Sequence, residues 1–104
     1  MDYLLFYDLA PDYLERRSAF RDRHLAHAWE AQSKGQFVLG GPLANPADGA
    51  IIHFRGDSPA VAEEFARADP YVQNGVVTGW RVREWITVVG EAASTPVRPG
   101  TATG

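Results

Sequence analysis

Ala68-Asp69-Pro70-Tyr71-Val72-Gln73-Asn74-Gly75 is the stretch that decides how this chain folds. It follows an alanine- and glutamate-rich helical run, and Asp-Pro ends such a run. Pro70 has no N–H to donate, and its ring pushes Asp69 out of the helical region into an extended or turn conformation. The Asp69 carboxylate is left at an element boundary, where it can cap the next turn or reach a distant partner. The partner read here is His24, in Arg21-Asp22-Arg23-His24-Leu25.

Working upstream, Gly56-Asp57-Ser58-Pro59 stops a strand and starts the helix that Asp69 ends, with Ser58 as its cap and Pro59 at its first position. Before it, Phe37-Val38-Leu39 and Ala50-Ile51-Ile52-His53-Phe54 flank Gly40-Gly41-Pro42 and the turn cluster Asn45-Pro46-Ala47-Asp48-Gly49, so 36–55 reads as a β-hairpin. A first helix is expected from Pro11 to about Ser33, closed by Lys34 and Gly35. Tyr13, Phe20, His24, Ala28 and Ala31 make its inward stripe, widened by Leu14 and Leu25, and Arg21 lies one turn before His24. Tyr3 to Tyr7 is a continuous apolar run that reads as a strand covered on both faces. Downstream, Val76 to Val89 is expected as one long or bent strand, with Gly79 permitting a bulge. From Gly90 the large apolar residues almost vanish, so the chain divides into a domain at 1–89 and a flexible tail at 90–104.

The order β-α-β-β-α-β is ferredoxin-like: an α+β domain with two helices on one face of a four-stranded antiparallel sheet. The strands carry large residues on both faces, while two helices cover only one. A second copy packed sheet to sheet is the simplest cover, and a homodimer is expected.

At 104 residues with 45% hydrophobic residues, the chain can build one core. It has no cysteine, which excludes disulfides, thiolate metal sites and cysteine nucleophiles. A net charge of −3 argues against nucleic acid or an anionic membrane as partner. No stretch reads as a membrane span or cleavable leader, so a cytoplasmic protein is expected. His27 lies near His24 but lacks a convincing third ligand, and no metal or other cofactor is expected.

Arg21-x-x-His24-Leu25, then Gly40-Gly41-Pro42, then Ala66-x-Ala68-Asp69-Pro70-Tyr71-Val72-x-x-Gly75-Val76 together resemble the YCII-related (YciI-like) family. The resemblance runs over roughly residues 3–89. It implies a ferredoxin-like subunit in a dimeric α/β-barrel arrangement, with His24 and Asp69 as a catalytic dyad. Part of that family is tied to lyase-type dehalogenation in aromatic degradation. The segment between Pro42 and Ile51 is short here, so any loop closing over a ligand is small.

Histidine exchanges a proton near neutral pH, and an Asp bound to one ring nitrogen fixes the tautomer and leaves the other nitrogen for chemistry. That pair could abstract a proton beside a carbonyl or protonate a leaving group on a small organic acid, in lyase or isomerase fashion. The same His24 also reads as a core histidine satisfied by a turn, and Asp69 as an ordinary turn residue. Arg21 could hold a substrate carboxylate or enolate, pair with Asp69 itself, or form a surface ion pair with Glu30, Glu63 or Glu64. Gly41 and Pro42 could let a ligand approach the backbone or merely end a strand, and Tyr71 could line a pocket beside Asp69 or only pack. Two functions stand open: a cofactor-independent enzyme, and a non-catalytic dimeric module that binds a small ligand or serves assembly.

Overall fold

The computed structural model describes residues 1–100; residues 101–104, the end of the expected tail, lie outside the described residues. Strand β1 (Asp2–Leu9) is followed by a short helix α1 (Tyr13–Arg16), a 3-10 turn (Arg17–Ala19) and helix α2 (Arg21–Ser33). The hairpin β2 (Phe37–Pro42) and β3 (Gly49–Arg55) leads to α3 (Ala60–Ala68), the single turn α4 (Pro70–Gln73) and β4 (Val77–Trp85). The sheet order is β2-β3-β1-β4, every pair antiparallel, which is the ferredoxin-like α+β arrangement.

The deciding stretch folds by local chemistry. Asp69 is extended (φ −73°, ψ 122°), its side chain accepts from the Tyr71 N–H, and Pro70 opens α4. Gly75 takes φ +71°, and the Val76 and Gly75 N–H groups donate to the carbonyls of Tyr71 and Val72. This paired closure needs a left-handed residue, which glycine supplies without strain. Gly35 closes α2 in the same way, with φ +76° and bonds from Gln36 and Gly35 to Ala31 and Gln32.

Several expectations are corrected. The single helix over 11–33 is broken, because Phe20 leaves helical geometry (φ −121°, ψ −2°) and the Ser18 hydroxyl donates to the Glu15 carbonyl. Tyr13, Ala28 and Ala31 are buried and Phe20 and His24 half-buried, but Leu14 is exposed and does not widen the stripe, while Leu25, 39% exposed, borders the same cavity as His24. Helix α3 starts at Ala60 rather than Pro59, although the Ser58 hydroxyl still accepts the Ala60 N–H. β4 ends at Trp85, and the expected bulge lies where Asp8 pairs Gly79 but Leu9 pairs Val77.

Tyr3, Leu5, Tyr7 and Leu9 alternate onto the helix face of β1, where they are buried with Ile52, Phe54 and Phe65. Leu4 and Phe6 alternate onto the opposite face and are only half-buried, so a single copy covers β1 fully on one side alone. That open face also carries Ile51, half-buried, and Leu39, which is 75% exposed.

One end of the open face is covered by residues expected in the flexible tail. Thr95 and Val97 donate their N–H groups to the carbonyls of Thr87 and Val88, folding residues 87–97 into a strap. The strap is pinned on Asp2, a buried carboxylate. One oxygen accepts from His53 Nε2 (2.5 Å) and Arg55 Nε (3.0 Å), the other from the hydroxyls of Thr87 (3.0 Å) and Ser94. Arg55 also donates to the Ala92 carbonyl at 2.6 Å. Burial alone would raise the Asp2 carboxyl; the bonds from Ser94, His53, Arg55 and Thr87 outweigh it and hold the group well below the usual carboxylate range.

A depressed carboxylate contributes stability that is complete above its unfolded value, about 3.9, and is lost as pH falls through the lower folded value. Asp2→Asn should therefore cost roughly 2 kcal/mol near neutral pH, from bonds to a charged acceptor. In urea unfolding, the gap between wild type and this variant should be constant above about pH 5 and shrink below about pH 4. A gap that widens in acid would mean Asp2 is not the ionised acceptor.

Candidate active site

α2 lies across the sheet so that His24 faces the end of α3, and the Asp-Pro turn delivers Asp69 beneath it. His24 Nδ1 is 2.8 Å from Asp69 Oδ1. Oδ1 also accepts the Tyr71 backbone N–H at 3.0 Å, and Oδ2 accepts the Tyr7 hydroxyl at 2.7 Å. Asp69 thus both caps α4 and reaches His24, although the sequence offered these as alternatives. Its side chain is wholly buried, while that of His24 remains 18% exposed. The Tyr7 hydroxyl and the Tyr71 N–H both donate to this carboxylate, so the ring nitrogen that faces the same acceptor, Nδ1, is the one that carries the hydrogen. The Nε2 of His24 has no protein partner among the described residues.

The imidazole is fixed in plane as well as in tautomer. It stacks on the Tyr71 ring with centroids 3.8 Å apart and planes 6° from parallel, and Tyr13 meets Tyr71 edge-on at 6.1 Å. Burial pushes the Tyr7 phenol far above its ordinary value, and the Asp69 charge and hydrogen bond push it further. Tyr7 is thereby a permanent donor that holds Asp69 in place. Burial also raises the Tyr71 phenol, with Tyr13 adding to the shift and Arg21 and Arg17 opposing it.

His24 opens onto a cavity of about 460 Å³ between the helices and the β2–β3 side of the sheet. The volume suits a small molecule. Arg21, Gly41, Pro42 and Tyr71, the binding residues expected from the sequence, all line it. Asp69 does not; it lies behind the histidine. Packing places its demand on the neighbouring glycine: a Cβ on Gly40 would fall 2.7 Å from Phe37 Cζ, whereas one on Gly41 would meet nothing within 4 Å. Arg21 makes no ion pair with Glu30, Glu63 or Glu64; Glu30 instead pairs with Lys34 at 3.3 Å.

Tyr7, Arg17 and Trp29 also line the cavity and were not singled out from the sequence. Tyr7 carried one signal, its place on the alternating buried set of β1, but strand period does not say which group its hydroxyl meets. His27 Nε2 lies 2.9 Å from the Phe65 carbonyl, which accounts for it structurally. His53, read from the sequence only as part of a strand, proves to be part of the Asp2 cluster. No group of three or more metal-ligating side chains occurs among the described residues.

The YCII-related domain matches residues 1–86. The chain belongs to the YCII-related family. An uncharacterized protein of Haemophilus influenzae is 31% identical over 85 residues, covering 73% of this chain and 87% of that relative. Among solved structures, 5-chloro-2-hydroxyhydroquinone dehydrochlorinase from Burkholderia phenoliruptrix, in complex with 2,5-dihydroxybenzoquinone, is similar in fold. The TM-score is 0.70 at 20% identity, covering 84% of this chain and 95% of that one. A NIPSNAP family protein from Agrobacterium tumefaciens shares the fold at TM-score 0.55 and 12% identity, covering 89% and 95%. The YCII-related match ends at residue 86, so the whole strap, residues 87–97, lies beyond the family domain.

Proposed function

We propose that this YCII-related protein is a small enzyme that performs general acid–base chemistry on a small, ring-derived organic acid, with His24 as the proton carrier and Asp69 as the group that orients it. The observation that carries the reading is that His24 lines a cavity of about 460 Å³ with its Nε2 unpartnered among the described residues, while Nδ1 is tied to a buried carboxylate. In an elimination, Nε2 takes the proton from the substrate. The electrons of that bond form a new double bond, and the leaving group departs with its bonding pair. Asp69 offsets the positive charge on the imidazolium, and Tyr7 keeps the carboxylate from turning away. Return of the proton to a different ring atom would instead be an isomerisation. The fold neighbour's name, a dehydrochlorinase, favours elimination as the first reaction to try.

The protein is further proposed to work as a cytoplasmic homodimer joined through the open sheet face. Leu4, Phe6 and Ile51 are half-buried there, and Leu39 is exposed. Sedimentation should give the mass of two chains; a monomer at micromolar concentration would remove the dimer from the proposal. No helix among the described residues is long and apolar enough to cross a membrane.

Turnover is tested with halogenated hydroxyquinols and simple ring acids in heavy water, followed by mass spectrometry and halide release. Product formation, or deuterium entering recovered substrate, is the expected result. Stoichiometric binding with no chemical change in any compound would replace the enzyme with the binding module.

A further inference from the structure

The cavity that His24 serves has an electrostatic sign. No carboxylate is among the residues that line it, and Asp69, behind His24, is engaged by Tyr7, Tyr71 and His24. Two guanidiniums line the cavity, Arg17 from the 3-10 turn and Arg21 from the first turn of α2. Neither has a carboxylate partner among the described residues, whereas Arg16 next door reaches Asp12 and donates to the carbonyls of Gly75 and Asn74. Arg17 is half-buried, with its guanidinium 5.5 Å from the centre of the Tyr13 ring. Both cations are felt at the Tyr71 hydroxyl, where they oppose the effect of burial. The remaining walls are largely apolar and aromatic, with Trp29, Phe37 and Ile52 among them.

The break after α1 matters here. Arg17 and Arg21 are four residues apart, one on each side of the irregular Phe20, and both still border the same cavity. A guanidinium presents a planar fork that matches an oxyanion, and one resting on an aromatic face is held for that purpose with less entropy to lose.

We infer that Arg17 and Arg21 together form an oxyanion-binding end of this cavity, and that its ligand is a planar ring bearing a negatively charged oxygen substituent apart from the atom that His24 works on. The inference rests on the catalytic reading for the identity of the site, but it assigns a separate part of it. Arg17 is then a specificity-determining residue: it selects anionic rings over neutral ones of the same shape. The charged oxygen belongs either to a carboxylate or to an ionised ring hydroxyl, and the probes below distinguish the two.

Binding is measured by quenching of tryptophan fluorescence, with calorimetry as a check. The probes are 2,5-dihydroxybenzoate, its uncharged amide, and 2,5-dihydroxybenzoquinone, whose hydroxyls ionise readily. Wild type should bind at least one anionic probe about tenfold or more tightly than the amide, as a hydrogen bond to a charged group provides. Tighter binding of the benzoate identifies a carboxylate; tighter binding of the quinone alone identifies an ionised hydroxyl. Arg17→Gln and Arg21→Gln should each weaken the anionic probe several-fold, the double variant should erase the preference, and amide binding should hold. Lys34→Gln removes one positive charge outside the cavity and should change nothing. Thermal unfolding of each variant guards against misfolding.

Equal binding of amide and anions, or a preference that survives the double variant, would overturn the inference. The two readings fail separately. Turnover of neutral rings with no dependence on Arg17 removes the anion end and keeps the enzyme; an arginine-dependent preference without turnover does the reverse.

Discussion

Asp69→Ala should lower the free energy of unfolding by about 3–5 kcal/mol, the range seen when one partner of a buried charged network is removed. In a chain of this size that corresponds to a fall in Tm on the order of 15 °C or more. The physical reason is asymmetry. The lost carboxylate makes three hydrogen bonds, and its removal leaves the Tyr7 hydroxyl, the His24 Nδ1–H and the Tyr71 N–H without their acceptor in a place that water does not reach. Two of these groups belong to the core, since Tyr7 and Tyr71 are 3% and 4% exposed. The variant also loses the cap of α4. Asp69→Asn keeps the shape and one acceptor oxygen, so its cost should be smaller, while its NH₂ must face a donor. Urea unfolding with a shared slope checks both values. A loss below about 1 kcal/mol in Asp69→Ala would mean that water or a rearranged side chain replaces the carboxylate.

His24→Gln should behave in the opposite way. On a substrate that the wild type turns over, the rate should fall about 10²–10⁴-fold, the usual contribution of a positioned proton carrier. Stability should change by no more than about 1 kcal/mol, because a glutamine amide can still donate toward Asp69 and the histidine was partly exposed. The two quantities together separate a catalytic group from a structural one. Equal losses in activity and stability would make His24 a core residue whose removal damages the fold. Nitrogen NMR of the wild-type ring provides a second reading that needs no substrate: the neutral imidazole should carry its hydrogen on Nδ1, and an Nε2–H tautomer would remove the base that the mechanism requires.

How much of this could be read in advance depends on the range over which each feature is encoded. The Asp-Pro turn was legible because its chemistry is local: a cap acceptor and a proline that ends the preceding helix are adjacent in the sequence, whereas the closure at Gly75 by a positive φ came from the structure. The hairpin, the two helical regions and the ferredoxin-like order followed from similarly short signals. The partnership of His24 with Asp69 spans 45 residues. Helix period placed His24 on the inward stripe, the Asp-Pro break left Asp69 at an element boundary, and resemblance to a family supported reading them as a pair. Tyr7 was invisible as a third member for the same reason, since nothing near it in the sequence mentions Asp69. The break at Phe20 escaped because the apolar stripe runs straight through it. Asp2 and His53 carry no local signal of one another; their meaning depends on the first strand, the third strand and residues 87–94 meeting at one point.

That last meeting point bears on how the chain is made. Asp2 and Ser94 are 92 positions apart, so the ribosome delivers the acceptor at the start of the domain and one of its donors near the end. Until the strap emerges, the carboxylate has His53 and Arg55 but neither hydroxyl, and it cannot be buried at full compensation. Domains generally fold as units, N-terminal ones first during synthesis. Here the first strand can pair early, yet this end of the sheet stays open to solvent until residues well past the family domain have arrived.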